Sequence, residues 1–390
     1  NRMKPTENMG QLRLTRYEFY NFARGGSIMP ASERPFLTPM DRDVLSSEAV
    51  DALRQAYDIG DWLAWQRTPK GSSNVSFFVT ASSGKYVLRR SHSRKSVDAI
   101  RFEIKLIDYL REKSYPAPAL IMTRQQEGYV EYDGILYLMT RFIPGRPYHP
   151  ENPNHLLASG HGLGLYHRLV KDLPGPYYRR PVPALTTLDP TGIKGLTAID
   201  RLARHYLSTE EQKRLMDGFS YLQNQFIDVC QSMVEISPRL SNRVIQGSFG
   251  RSALIFHGDT LSGVVDYDRA TYELRSMDLA YAIKAFCRIH DRDSEDYRIG
   301  FDYARCRDFL LAYREAESLS AEELQALPLI FRGQRLVKVQ NKCDNLLRKD
   351  AVVPQEAKDL RKLAIMVERE ARRLCWLERH REGLLATLMN

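Results

Sequence analysis

The residues best suited to chemistry fall in the stretch from Val244 to Asp268, which contains Ser248, the tripeptide His257-Gly258-Asp259, and two carboxylates, Asp266 and Asp268, flanking Tyr267. One or two carboxylates suffice to hold a divalent cation against phosphate, because phosphate oxygens and waters complete its coordination. The same residue type also caps the turn that follows it, and Asp266 fits that role as well. Upstream, Lys70-Gly71-Ser72-Ser73-Asn74 places small residues just before a strand-like segment. Backbone N–H groups there can approach a phosphate, and an ordinary β-turn explains the same residues.

The surrounding pattern says what positions them. Ser47 to Ala56 reads as a short helix, and Asn74 to Thr80 as a strand joined by a turn at Ser82-Ser83-Gly84-Lys85 to a second strand, Tyr86 to Arg89. From Ser96 to Lys113 the apolar residues Val97, Ile100, Ile104, Ile107 and Leu110 recur every three or four positions, which predicts an amphipathic helix ending before Pro116 and Pro118. Gly128 to Tyr132 and Ile135 to Arg141 flank Asp133-Gly134, a two-residue hairpin signal. After Pro144-Gly145-Arg146-Pro147, helical periodicity dominates Asn154 to Val234 and Met277 to Met389, interrupted by strand-like pieces at Leu254-Ile255-Phe256 and Gly263 to Tyr267. The expected fold is α+β, a small mixed lobe on a larger helical lobe. Residues 1–45, with Pro5, Pro30, Pro35 and Pro39, read as an extension, followed by lobes at 46–141 and 142–390.

Composition sets outer bounds. The chain has 390 residues, 43% apolar and 27% charged, which excludes global disorder and fibrous repeats. Its 57 Lys and Arg against 48 Asp and Glu give +9, but most cations alternate with acids, as in Asp291 to Arg298. The short runs Arg361-Lys362 and Arg372-Arg373 read as solvated helix faces, with attraction of a phosphorylated small ligand as the alternative, and the nucleic-acid signal is weak. No apolar run approaches the roughly 18 residues of a membrane span, and the start, Asn1-Arg2-Met3-Lys4-Pro5, has no apolar signal core. Five scattered cysteines without a C-x-x-C pair read as reduced thiols, and the expected location is cytoplasmic.

The segment Val244 to Asp268 resembles the aminoglycoside phosphotransferase and choline kinase superfamily, the small-molecule branch of the protein-kinase-like fold. That family has a catalytic loop H-G-D-x-x-x-x-N, then a hairpin, then G-x-I-D-F-D. Gly263-Val264-Val265-Asp266-Tyr267-Asp268 matches the last motif without a gap, and Arg275-x-x-Asp278-Leu279-Ala280 resembles the segment that follows. The catalytic loop departs from the pattern. Ser248, 18 residues before Asp266, stands at the catalytic Asp, with Gln246 at the His and Ala253 at the magnesium-binding Asn. His257-Gly258-Asp259 spells the missing tripeptide 11 residues late, where the family has a hairpin turn, so turn chemistry is expected there.

The resemblance spans about residues 60 to 345 and implies ATP or another nucleotide with Mg2+ as cofactors, and Asp266 as the metal ligand. It places Arg89 at the nucleotide phosphates with Glu103 as its partner carboxylate, Gly71, Ser72 and Asn74 in the phosphate-covering loop, and Met139 and Thr140 beside adenine. His167 falls on the helix beneath and reads as structural, since no carboxylate or second His lies at helical spacing from it. The helical region beyond 280 lines the acceptor pocket in this family; Arg288, Arg292 and Arg298, mixed with Asp291, Asp293, Glu295 and Asp296, single out no acceptor.

Phosphoryl transfer needs a carboxylate to orient the attacking hydroxyl and oxygen ligands for the metal. Ser248 has no basicity near neutral pH, loss of a general base costs about 10² to 10⁴ in rate, and Ala253 offers magnesium no oxygen. One expectation is a pseudokinase that binds a nucleotide, small ligand or protein partner. An alternative is an active phosphotransferase or nucleotidyltransferase with relocated groups, Asp268 or a residue of the 172–210 connection acting as base. A third is a scaffold with an empty cleft.

Overall fold

The computed structural model describes residues 44–68, 74–92, 95–179, 185, 191–290, 294–347 and 353–389. Gly71 and Ser72 lie outside these residues, as does nearly all of the expected extension. The chain forms two compact units, Asn1–Asp51 and Ala52–Asn390. In the first, the described residues lead from Val44 into helix α1 (Ser47–Ala56).

The second unit opens with an antiparallel sheet of β1 (Trp62–Arg67), β2 (Val75–Ala81), β3 (Gly84–Arg90), β4 (Val130–Tyr132) and β5 (Ile135–Arg141), in the order β1-β2-β3-β5-β4. Strand β2 buries Phe77, Val79 and Ala81, the alternation its sequence predicts, whereas β1 buries only Trp62. Helix α2 (Val97–Glu112) is capped by the Ser96 hydroxyl, which accepts from the Ala99 N–H. Ile100 of α2 packs with Leu136 and Leu138 of β5, and Arg89 of β3 stands directly opposite Leu138. Cross-strand partners share a sheet face. Arg89 is therefore turned toward α2, whose buried stripe includes Glu103.

The helical lobe holds β6 (Arg146–Pro147), α3 (Pro153–Leu169), α4 (Leu196–Tyr206), α5 (Thr209–Ile236), β7 (Asn242–Ile245), β8 (Leu254–His257), β9 (Thr260–Val264), β10 (Thr271–Leu274), α6 (Arg275–Phe286), α7 (Tyr303–Ala316), α8 (Ala321–Leu347), α9 (Val353–Arg379) and α10 (Arg381–Met389). The helical pattern expected through 154–234 breaks after α3: the described residues 173–179 are irregular around Pro174 and Pro176, whose missing N–H groups and steric bulk exclude a helix. Strands β7 and β10 form one ribbon, and β6, β8 and β9 another. His257 pairs with Thr260 across the Gly258-Asp259 turn, where Gly258 takes φ 56°, and the Asp259 carboxylate accepts from the Asn152 and Asn154 amides at 2.8 Å. His257-Gly258-Asp259 is thus a hairpin tip, and its acid is engaged in holding the start of α3.

Among the described residues no helix is long and apolar enough to cross a membrane. The five cysteines are free, four of them buried.

Candidate active site

The loop between β7 and β8 is held from below by one carboxylate. Asp278, in the first turn of α6 and 1% exposed, accepts from the Gln246 N–H at 2.8 Å and the Gly247 N–H at 3.0 Å. Gly247 has φ 77°, and a Cβ there would collide with the Arg269 carbonyl, so the loop needs glycine. The Gln246 amide donates to the carbonyls of Val265 at 3.1 Å and Asp266 at 2.8 Å, and its oxygen accepts from the Ser248 N–H at 2.8 Å. The Ser248 hydroxyl donates to the same Asp266 carbonyl, also at 2.8 Å. Gln246 and Ser248 thus clamp the backbone of Asp266, which takes a left-handed φ of 72° that Asp tolerates better than most residues.

Replacing Asp278 by Asn keeps its shape but sets an amide N–H against one of two buried backbone N–H donors. Each orphaned donor costs about 1–3 kcal/mol, so Asp278→Asn is expected to lower unfolding stability by about 2–3 kcal/mol in urea titrations. Ser248→Ala should cost less than half of that, because Gln246 still serves the Asp266 carbonyl.

His167 is fully buried, its Nδ1 2.8 Å from the Tyr313 hydroxyl and its Nε2 3.4 Å from Asp278. Burial pushes its pKa down against the opposing pull of Asp278, so the ring is neutral at neutral pH and packs as a structural group. A carboxylate does neighbour it, from another helix, where spacing along α3 showed none.

On the sheet side, the Arg89 guanidinium reaches Glu103 at 2.6 Å, and Lys95 reaches the same carboxylate oxygen at 2.6 Å. Burial alone would raise the Glu103 pKa, but the two cations hold it below the usual carboxylate range. The sequence singled out Arg89 and Glu103; Lys95, eight residues before Glu103 and outside α2, had no signal of its own. Arg89 Nε and Glu103 Oε1 are buried without a hydrogen-bond partner. Asn74 donates to Asp268 at 2.7 Å and accepts from the His92 N–H, tying the start of β2 to the acidic pair.

Asp266 and Asp268 titrate together. Burial first, and then the charge of Asp268, push Asp266 up to about 7, while Asp268 is held low against burial by the hydrogen bond to Asp266 and by Arg89, Lys95 and Asn74. Asp266 is solvent-exposed although protein crowds around it, so water tempers that shift. Two carboxylates that resist ionising together suit a divalent cation, which relieves their repulsion. Ala253 is 1% exposed, and its carbonyl accepts from the Val265 N–H at 2.8 Å.

Met139 is fully buried in β5, its carbonyl accepting from the Ile121 N–H at 2.9 Å, and Thr140 pairs with Val87 and Leu120. A cavity of about 710 Å³ elsewhere in the chain is lined by Tyr115, His161, Leu261 and Glu315 among others and shares no residue with this site.

The sequence model of the Phosphotransferase enzyme family matches residues 64–317. A homoserine kinase of Bradyrhizobium sp. (strain ORS 278) is 26% identical over 293 residues, covering 75% of this chain and 82% of that protein. One from Rhodopseudomonas palustris (strain BisB5) is 25% identical over the same length and coverage. Among solved structures, a microcompartment-associated aminopropanol kinase aligns with a TM-score of 0.60 at 15% identity, covering 87% of this chain and 98% of its own. An amicoumacin kinase in complex with AMP-PNP, Ca2+ and Ami aligns at 0.59 and 15%, covering 84% and 95%. With the sheet lobe, the helical lobe and the β7 to β10 ribbons in kinase-like order, and with the family match extending over most of both lobes, this chain belongs to the phosphotransferase enzyme family.

Proposed function

We propose that this protein is a pseudokinase of its family, which holds a nucleotide in the cleft without ordinary phosphoryl transfer. The observation behind this reading is Ser248: it stands where the family has its catalytic carboxylate, and its hydroxyl proton is committed to the Asp266 carbonyl. A hydroxyl so placed takes no proton from an acceptor. In this reading 46–141 is the nucleotide-side lobe and 142–390 the acceptor-side lobe, behind an extension of about 45 residues.

Asp266 and Asp268 would hold a magnesium ion, which when bound neutralises nucleotide phosphate charge. Arg89, fixed by Glu103, would face the phosphates, with Asn74, Gly71 and Ser72 over them and the Met139–Thr140 segment near the base. The relatives' names suggest hydroxyl-bearing amines as the ligand class on the acceptor side.

The direct experiment pairs a binding readout with a turnover readout. Magnesium-ATP at ~100 times its dissociation constant should stabilise the protein by about 2.7 kcal/mol, read as a rise in unfolding temperature that Asp266→Ala removes. ATP consumption with homoserine, aminopropanol or other small alcohols should stay at background. Robust magnesium-dependent consumption abolished by Asp266→Ala would show relocated catalytic groups, and no thermal shift with any nucleotide would leave a scaffold.

A further inference from the structure

A second concave site lies in the helical lobe, where the end of α6 and the segment that follows it meet α9. Its volume is about 570 Å³, and five arginines line it, Arg288, Arg298, Arg369, Arg372 and Arg373, together with His290. None of its described lining residues is acidic. The neighbouring carboxylate, Glu370, is fully buried and already committed to Arg373 at 2.7 Å, with Lys338, Arg335 and Arg369 at 3.6–3.8 Å. One acid therefore faces at least four cations.

The cations are positioned as well as numerous. The buried Arg373 also donates to the Arg298 carbonyl at 3.1 Å, which fixes Arg298 in a left-handed backbone, φ 58°, with its guanidinium 4.8 Å from the centre of the Tyr297 ring. Holding a non-glycine residue there costs free energy, and such strain collects at functional positions. Burial, then Arg335 and Arg373, hold the Arg288 pKa down to about 9, and Lys284, in the last turn of α6, is lowered for like reasons. The sequence reading took Arg372-Arg373 for a solvated helix face; Arg373 is buried and Arg372 lines the cavity.

We propose that this pocket binds a small molecule carrying two or more phosphate or carboxylate groups, a ligand site separate from the nucleotide cleft. Arginine forks match these oxyanions two bonds at a time. The volume falls within the range of about 300–1,000 Å³ for small-molecule sites, and the concave shape suits a compact anion better than a nucleic-acid strand. The site also has a physical link to the catalytic loop, because Arg251 lies 2.7 Å from His290.

The test is calorimetric titration of the full chain with inorganic pyrophosphate and with citrate, at 0.15 M salt without magnesium or nucleotide. Saturable binding of either anion is expected. Arg369→Glu/Arg372→Glu, both at exposed positions, should weaken it at least about tenfold and leave any magnesium-ATP thermal shift unchanged. Arg372→Ala, a milder change that keeps the fold, should weaken it in the same direction. Equal binding by wild type and both variants, no binding below about 1 mM, or displacement of the anion by a much tighter single-stranded oligonucleotide would overturn the proposal.

Discussion

Glu103→Ala is expected to destabilise the ligand-free protein by about 3–5 kcal/mol at pH 7, because removing one partner of a buried ion pair leaves an uncompensated buried charge. Here it leaves two, since Arg89 and Lys95 share that carboxylate and their side chains are only 12% and 3% exposed. Asp268 also attracts Arg89 and recovers part of the loss, so the lower end of the range is the better expectation. Total stabilities of about 5–15 kcal/mol make even that a large fraction. The sign with pH follows from the lowered Glu103 pKa: its contribution is complete above the unfolded value of about 4.5 and is lost as pH falls below it. Urea titrations should therefore show a wide gap between wild type and variant at pH 7 that narrows toward pH 3. Glu103→Gln, which keeps one acceptor, should fall between them. A gap under about 1 kcal/mol at pH 7 would mean that the pair is worth no more than an exposed one. The variant should also lose any magnesium-ATP thermal shift, because Arg89 is no longer held toward the cleft.

Where one face of an element is buried, its residues announce it. Helix α2 repeats apolar residues every three or four positions because one stripe packs inward, and it begins one residue from its expected start. Strand β5 is bounded as its sequence reads because Asp133-Gly134 precedes it. Strand β1 escaped notice: only Trp62 is buried, so Trp62 to Arg67 has no alternation to read. The helical periodicity of 154–234 does not register Pro174 and Pro176, which forbid a helix just after α3.

The site divides in the same way. Asp266, Asp268 and the Ser248 register sit in one contiguous segment, where spacing along the chain is enough to align them. Groups that act across elements left no such trace. Asp278 lies 32 residues from Gln246 and braces its backbone, and the same acid stands beside His167 on a different helix. The five-arginine pocket draws on the segment after α6 and on α9, about 70 residues apart in the chain, so no local window shows that its cations converge. A balanced count of acids and bases along the chain conceals an unbalanced count in space.

On the proposed pseudokinase reading, Ser248→Asp with Ala253→Asn should raise ATP consumption by at least about 10²-fold over wild type, the lower bound for regaining a general base. The hydroxyl that Ser248→Asp removes is one of two donors to the Asp266 carbonyl; the Gln246 amide remains on it at 2.8 Å, while the new carboxylate, which only accepts, has to turn away from that carbonyl. The new carboxylate stands next to the acidic pair and raises local repulsion, which favours a metal ion and makes the second substitution useful. Asn at 253 offers that ion an oxygen. Ala253 is fully packed, with its N–H on Gly250 and its carbonyl on Val265, so the backbone is fixed and the larger side chain has to displace neighbours at a cost of about 1–3 kcal/mol. Circular dichroism and urea midpoints separate that cost from chemistry. Ser248→Asp alone should gain less than the pair, and Ala253→Asn alone should gain nothing in turnover while tightening magnesium binding. A wild type that already turns over, with the double variant no faster, would show that proton transfer has moved to another residue; a folded double variant that binds magnesium-ATP and stays silent would place the lost function on the acceptor side.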